Sequence, residues 1–133
     1  MLTGSCLCGG IRYEVSGPFV KPAYCHCTQC RKATGSAFAA NASLAADGFR
    51  IVSGEALLAR YESSPGQLRC FCSRCGSPLV KLYTDRPEAR IRLGSLDDDP
   101  HLEMAGHVFT REKAPWYEIR DDLPRFDTLP PAR

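Results

Sequence analysis

Apolar and polar residues alternate along much of the chain with a period of two, which is typical of β-strands that bury one face. The clearest example is Ile11-Arg12-Tyr13-Glu14-Val15, and with the residues before it this pattern predicts a strand over residues 6 to 15, ended by Ser16-Gly17-Pro18. Runs of β-favouring residues bounded by glycine, proline, serine or aspartate predict further strands or extended segments. These lie over residues 20–24, 36–44, 49–52, 56–61, 67–71, 78–83, 89–96 and 102–109.

One segment departs from the strand pattern and is predicted to be helical. Residues 28–34 are expected to form one or two helical turns that end at Gly35, since glycine commonly occupies the position after a helix. Short strands at about ten-residue spacing with so little helix indicate an all-β fold, and the chain length fits a single domain over residues 1–133. The segments 121–124 and 130–131 are predicted to mark where the chain leaves that domain.

Eight cysteines in 133 residues are well above ordinary usage, so metal or covalent bonds are expected to supplement the core. The first residues lack the features of a signal peptide, and no run approaches the roughly 20 apolar residues of a membrane span, so a cytoplasmic protein without membrane association is expected. In that reducing compartment, closely spaced cysteines are more often ligands or catalysts than disulfides. With 17 basic and 15 acidic residues, the chain has no basic excess that would predict a nucleic-acid partner.

The segment Cys25-His26-Cys27-Thr28-Gln29-Cys30 places three cysteines within six positions. Structural zinc normally takes four protein ligands, whereas catalytic zinc keeps three and leaves the fourth position to water or substrate. In an extended chain Cys25 and Cys27 project to the same side, about 6.6 Å apart at Cα, and Cys30 can turn back toward them. The spacing therefore predicts an open zinc site, with His26 pointing away as a hydrogen-bonding or surface residue.

A second pattern of the same kind occurs in Cys70-Phe71-Cys72-Ser73-Arg74-Cys75, and a further pair is formed by Cys6 and Cys8. The ligand sets are therefore ambiguous, because Cys6 and Cys8 could complete a site with either group of three cysteines. Glycine favours one solution. In metal-binding turns the residue after the second cysteine often needs a positive φ, and glycine follows Cys8 and Cys75 whereas Arg31 follows Cys30. This predicts a closed structural site, and leaves Cys70 as a free thiol in preference to an alternate ligand. The closed set is Cys6, Cys8, Cys72 and Cys75.

These motifs, together with a C-terminal pair of segments, resemble the glutathione-dependent formaldehyde-activating enzyme family, which also includes the vertebrate centromere protein V. The resemblance runs from about residue 3 to residue 126 and includes seven cysteines in order, while Cys70 is not part of the pattern. The matching segments are Gly4-Ser5-Cys6-x-Cys8-Gly9, Cys25-His26-Cys27-x-x-Cys30-Arg31-Lys32-x-Thr34-Gly35-Ser36-Ala37-Phe38, Phe71-Cys72-x-x-Cys75-Gly76-Ser77, Lys113-Ala114-Pro115-Trp116-Tyr117 and Asp122-Leu123-Pro124.

The resemblance implies a fold of several coiled antiparallel sheets, a structural zinc on the four cysteines above and a second, labile zinc on Cys25, Cys27 and Cys30. It also implies a carbon-sulfur lyase that joins glutathione and formaldehyde into S-hydroxymethylglutathione, with a small thiol and an aldehyde as partners. Zinc can lower the pKa of a bound thiol below its ordinary value of about 8.5 and so keep a nucleophile present. Three thiolates, however, already make such a centre anionic, which weakens this effect.

Two other classes of function remain open from the residues. A zinc-stabilised binding module would use both metals only for folding, whereas a thiol redox protein would use Cys27 and Cys30 as a dithiol but lacks the adjoining βαβ pattern. Thiol-and-aldehyde turnover that is lost in Cys27→Ser separates an enzyme from a binding module. Bound zinc that quenches all three thiols argues against a redox role.

Several conspicuous residues outside the clusters have ordinary explanations. Arg31 and Lys32 follow the open site and are as compatible with glutathione carboxylates as with a solvated pair. His101 and His107 have no ligand-like spacing and are unassigned. The remaining pair, Trp116-Tyr117, is expected to fix the C-terminal segment to the core and is less suited to form an aromatic substrate shelf.

Overall fold

The computed structural model describes residues 1–131, and two β-sheets account for most of its regular structure. The all-β fold with a single short helix, which the sequence predicts, is confirmed. The helix is α1, Thr28–Thr34. The ten strands are β1 Leu2–Ser5, β2 Arg12–Val15, β3 Val20–Cys25, β4 Ala39–Ala45, β5 Phe49–Ser53, β6 Leu58–Ser64, β7 Gln67–Cys72, β8 Pro78–Tyr83, β9 Glu88–Arg92 and β10 His107–Val108.

The smaller sheet is antiparallel, with its three strands in the order β1-β2-β5. Its central strand β2 buries Tyr13 and Val15 and turns Arg12 outward, as the alternation predicts. The prediction of one strand over residues 6–15 is wrong in its first half, because residues 6–11 form a turn between β1 and β2. There the Cys6 N–H donates to the Ile11 carbonyl, which closes the turn, so the two cysteines lie on a loop.

The larger sheet has seven strands in the order β10-β3-β4-β9-β8-β7-β6. All neighbours are antiparallel except β10, which runs parallel to β3 with His107 opposite Tyr24. The sequence predicts a long strand over residues 102–109, but only two residues join the sheet, so that prediction is wrong in length. The segment 121–124 does not leave the fold, which corrects another expectation: the His107 N–H donates to the Pro124 carbonyl, and just beyond this segment the Phe126 N–H donates to the His107 carbonyl.

The two faces of the larger sheet differ in chemistry. One face packs against the smaller sheet through buried apolar side chains, including Leu44, Cys70, Val80, Ala89 and Ile91. Burial of each large apolar side chain contributes about 1.5–3 kcal/mol, so this interface is the main core. The opposite face carries a row of basic side chains, because directly paired residues of neighbouring strands point to the same side. We call it the basic face; it comprises Arg69, Lys81, Arg90 and Arg92.

Helix α1 lies on the basic face, where the Gln29 side-chain amide bonds to residues of β6. The helix begins after Cys27, whose sulfur accepts the Cys30 N–H, and ends at Gly35 with φ 64°. A positive φ is readily adopted only by glycine, so the predicted end of the helix is confirmed. At seven residues α1 is far too short to cross a bilayer, and the described part of the chain contains no helix with the length and apolarity of a membrane span.

Candidate metal centres

Four cysteines from two distant parts of the chain, one near its start and one near its middle, come together beside the smaller sheet. Their sulfur atoms lie within 4.8 Å of one another, with Cys6 Sγ 3.5 Å from Cys8 Sγ and Cys8 Sγ 3.8 Å from Cys72 Sγ. Sulfurs bound tetrahedrally to zinc at roughly 2.3 Å are about 3.8 Å apart, so this donor set fits zinc in both chemistry and spacing. The fourth member is Cys75.

Two tight turns hold these four sulfurs. In each turn a glycine follows the second cysteine with a positive φ, 75° at Gly9 and 81° at Gly76, as the sequence predicts. The Gly9 N–H donates to the Cys6 carbonyl and the Gly76 N–H to the Cys72 carbonyl. Hydrogen bonds from the Ser77 side chain and backbone lower the pKa of Cys75 to about 5, so one sulfur of the cluster favours the thiolate.

Cys25, Cys27 and Cys30 form the second cluster, with their sulfurs also within 4.8 Å of one another. Cys25 ends β3, Cys27 precedes α1 and Cys30 lies in the first turn of that helix, so a strand and a helix position the three sulfurs. Cys25 and Cys30 are buried, whereas Cys27 is partly exposed. Three soft sulfur donors with one side open to solvent fit a zinc ion with a free coordination position. The structure thus groups the seven cysteines as the glycine argument does, and metal binding by them remains a prediction.

Buried basic side chains surround the three-cysteine cluster. Both terminal nitrogens of Arg69 approach Cys30 Sγ, at 3.7 and 3.8 Å, and Arg69 is 8% exposed. Arg92 lies near the same sulfur and donates to Asn41 Oδ1 at 2.7 Å. Hydrogen bonds from Cys25 and Cys27, then the charges of Arg92 and Arg69, hold the pKa of Cys30 well below its ordinary value. Sequence reasoning missed both arginines, since only strand register brings them to this cluster.

A chain of hydrogen bonds runs from the buried His26, between two of these cysteines, through the buried His107 to the partly exposed Asp121. His26 Nε2 lies 2.8 Å from His107 Nδ1, and His107 Nε2 lies 2.9 Å from Asp121 Oδ2. A carboxylate only accepts, so His107 donates through Nε2; with this ring neutral, its Nδ1 accepts from His26 Nε2–H, and His26 Nδ1 is left as an acceptor. That atom is buried without a partner among the described residues. The sequence prediction of His26 as a hydrogen-bonding residue fits this arrangement, while its alternative surface position is wrong because the side chain is fully buried.

Burial and the nearby His107 lower the pKa of His26 to about 4, so this imidazole is neutral at physiological pH. Sequence reasoning left His107 unassigned, because its link to Asp121 joins residues that follow no motif. Neutral His26 between two cysteines adds no positive charge to the cluster. The buried guanidinium groups near the three sulfurs are those of Arg69 and Arg92, and Lys81, the register partner of Arg69, adds a third positive charge on the same face.

A cleft of about 430 Å³ lies beside the turn at Cys6 and Leu7. Its walls also include Ala39, the register partner of Cys25, and Arg92, but none of the cysteines of the three-cysteine cluster. The volume falls within the range of about 300–1,000 Å³ that is typical of small-molecule sites. Another depression, of about 260 Å³, lies near the N-terminus and contains no cysteine. Of these two depressions, the larger is thus the one whose wall includes a neighbour of the three-cysteine cluster, Ala39.

The other residues noted in the sequence have simpler positions. Cys70 is buried on the apolar face and belongs to neither cluster, in agreement with a free thiol. Arg31 donates to the Glu112 carbonyl at 2.8 Å, and Lys32 is exposed. Trp116 is 70% exposed, so the expectation that it fixes the C-terminal segment is wrong, whereas Tyr117 packs edge-on against Phe38.

Comparison with known proteins agrees with this arrangement. A protein from Halomonas elongata, which carries the provisional name glutathione-dependent formaldehyde-activating enzyme, is 36% identical over 129 residues, covering 90% of this chain and 81% of that protein. A crystal structure of a Rhodobacter sphaeroides protein matches with a TM-score of 0.59 and 29% identity, over 74% of this chain and 92% of the other. The family model described as "Glutathione-dependent formaldehyde-activating enzyme" matches residues 1–112, and the chain therefore belongs to that family.

Proposed function

We propose that the protein binds two zinc ions and catalyses the addition of a small thiol to an aldehyde, with glutathione and formaldehyde as the substrates that its family suggests. The single observation that carries the proposal is the three-cysteine cluster itself, in which Cys25 and Cys30 are buried while Cys27 is partly exposed, so that the donor set is one short of four and open on one side. In this proposal Cys6, Cys8, Cys72 and Cys75 hold a structural zinc. Cys25, Cys27 and Cys30 hold the second zinc, which takes part in catalysis.

The reaction is an addition that needs no oxidant or reductant. A thiol loses its proton, its sulfur forms a bond to the aldehyde carbon, and the electron pair of the C=O π bond moves to oxygen, which takes up a proton. With glutathione and formaldehyde the product is S-hydroxymethylglutathione, and the reverse step makes the enzyme a carbon-sulfur lyase. Zinc bound at the open cluster would supply a position for the substrate sulfur and favour its thiolate form.

The protein's own residues prepare this site. The strand end at Cys25 and the helix start at Cys27 fix the sulfur positions, so little reorganisation is needed when substrate arrives. Cys27 is the most accessible of the three sulfurs, so the substrate enters on its side. The buried Arg69 beside Cys30 raises the local preference for negative charge. A reducing compartment such as the cytoplasm would keep these thiols available for metal.

The test is turnover of glutathione and formaldehyde, followed by NMR detection of the hydroxymethyl thioether over the uncatalysed background. Free thiols add to formaldehyde unaided, so the enzyme must increase the rate at which the reaction approaches equilibrium at each thiol concentration. Cys27→Ser is expected to abolish the enhancement while the protein remains folded. Cys70→Ser, at a sulfur outside both clusters, is the matched control and is expected to retain it. Equal rates with wild type and Cys27→Ser would reject the enzyme and favour a zinc-stabilised binding module.

A further inference from the structure

Arg69 and Arg92 are buried without a carboxylate partner. They are 8% and 6% exposed, and none of the ion pairs formed within residues 1–131 involves either guanidinium. A buried charge is strongly unfavourable unless an opposite charge or a full set of hydrogen bonds accompanies it. Two such cations on one face of a sheet therefore require a compensating anion nearby.

The neutral partners of Arg69 account for only part of its donor set. Its Nε donates to Ser63 Oγ at 2.8 Å, and one terminal nitrogen donates to Gln29 Oε1 at 3.3 Å. The same guanidinium directs both terminal nitrogens at Cys30 Sγ. A thiolate at Cys30 is thus the anion that this side chain faces.

Arg92 approaches the cluster from the neighbouring part of the basic face. Its register partner Asn41 accepts one hydrogen bond at 2.7 Å. Asn41 lies on β4 two residues from Ala39, which pairs with Cys25, so Arg92 points to the same face of the sheet beside the end of β3 that carries Cys25. Arg92 also lines the cleft, which Arg69 does not. Arg69 therefore contacts a sulfur of the cluster directly, whereas Arg92 also borders the cleft.

The charges of the centre explain why two arginines are present. Three thiolates and one divalent zinc carry one net negative charge, and a fourth sulfur anion makes this two. Resting on the proposed function, we propose that Arg69 and Arg92 compensate this charge, so that the three-cysteine centre selects an anionic sulfur as its fourth ligand. The two residues are positioning residues for the substrate sulfur, and they offset the objection that three thiolates alone make the site too anionic.

The four-cysteine cluster provides an internal contrast. Its nearest basic side chain, Arg74, donates through Nε to Cys8 Sγ at 3.4 Å and is exposed. Solvent screens such a surface charge, so it contributes little. Zinc on four thiolates would carry the same two negative charges, but Cys8 is exposed and Cys75 is partly exposed, so solvent offsets them there. At the open site Cys25 and Cys30 are buried, so the same charge requires cations inside the protein.

The test measures ligand choice, independently of turnover. Cobalt(II) replaces zinc in the purified protein, and its visible absorption reports the binding of 2-mercaptoethanol, which enters as an anion, and of imidazole, which enters as a neutral molecule. Arg69→Gln and Arg92→Gln are each expected to weaken the binding of 2-mercaptoethanol roughly tenfold to hundredfold and to leave the affinity for imidazole unchanged. Arg69→Lys and Arg92→Lys keep the charge and should recover most of the loss.

Arg60→Gln is the matched control, because it removes an arginine from the surface of the adjacent strand, where it forms an ion pair with Glu55. This variant should change the affinity for neither ligand. Equal losses of both ligands, or no loss of 2-mercaptoethanol, in either folded glutamine variant would overturn the inference and leave the proposed function intact. Wild-type cobalt protein that binds no thiol at all would overturn both. If one glutamine variant fails to fold, the other still decides, because each guanidinium acts on its own.

Discussion

At the scale of single residues, Cys72 and Cys27 differ in which parts of the chain their clusters join. The cluster of Cys72 links the turn after β1 to the turn after β7, whereas that of Cys27 joins residues within one short segment. Structural zinc contributes on the order of 10–16 kcal/mol of apparent binding energy, comparable to the whole stability of a domain. Cys72→Ser is therefore expected to unfold or aggregate the protein, and Cys27→Ser to leave it folded. Circular dichroism and thermal melts of both variants check this, and equal damage would make the open cluster structural.

Residue identity predicted the cysteine groups better than it predicted their surroundings. The glycines after Cys8 and Cys75 carry a local conformational requirement, which can be read without knowing the fold. The position of Arg69 depends on the pairing of β7 with β8 and on where α1 lies, and no local pattern records either. For Trp116 the residue type itself is misleading: a large aromatic side chain predicts packing against the core, yet this one is mostly exposed.

At the scale of elements, the turn that carries Cys6 and Cys8 packs closely on the β5–β6 connection. Gly54 has φ 83°, and a Cβ there would lie 1.8 Å from the Gly10 carbonyl oxygen. Gly54→Ala is therefore expected to destabilise the protein by at least about 2 kcal/mol and to displace the metal-binding turn. Gly94→Ala is the control, since its Cβ would meet no atom within 4 Å. Urea unfolding of the metal-loaded variants measures the difference, and similar midpoints for both would contradict the expected clash.

The C-terminal segment is attached to the sheet through Asp121. The hydrogen bond from His107 holds the pKa of this carboxyl below its ordinary value, so the interaction stabilises the fold above the unfolded pKa and is lost as pH falls through the lowered folded pKa. Asp121→Asn should therefore lower Tm at pH 7, and the difference from wild type should shrink as pH falls towards about 4 and below. The exposed neighbour Asp122 provides the control: a loss of Tm in Asp122→Asn with the same pH profile would contradict a specific role for Asp121.

Element boundaries were predictable where side-chain alternation and turn residues agreed. The predicted segment 78–83 is observed as β8 with the same limits, and the helix ends at the predicted glycine. The prediction for residues 102–109 is wrong in length because β-favouring residues report the environment of a pleated sheet, while only His107 and Val108 pair in regular register with β3. Ala105 and Gly106 make single backbone hydrogen bonds to that strand without extending the ladder. The expectation that the chain leaves the fold at residues 121–124 is wrong because aspartate and proline are typical of chain ends, yet the Pro124 carbonyl accepts a hydrogen bond from the backbone of β10.

At the scale of the whole molecule, the two clusters should differ in how firmly they hold metal. Four sulfurs enclose one centre, whereas three leave the other accessible to chelators and oxidants. We expect a chelator to remove one zinc rapidly without loss of structure and the second only with unfolding. Zinc release followed with a colorimetric chelator, together with far-UV circular dichroism, checks the order. Two ions that resist chelation equally would contradict this division of the cysteines.

The burial of Cys70 has a practical consequence for following the folding equilibrium. This thiol is 2% exposed, lies on the apolar face of β7 and has a pKa raised mainly by burial, while the backbone of the sheet separates it from Cys30 on the other face. An alkylating reagent reaches it only when β7 detaches from its neighbours, an opening on the scale of global unfolding. In metal-loaded protein the rate at which Cys70 is labelled would therefore report how readily that opening occurs, without any introduced probe.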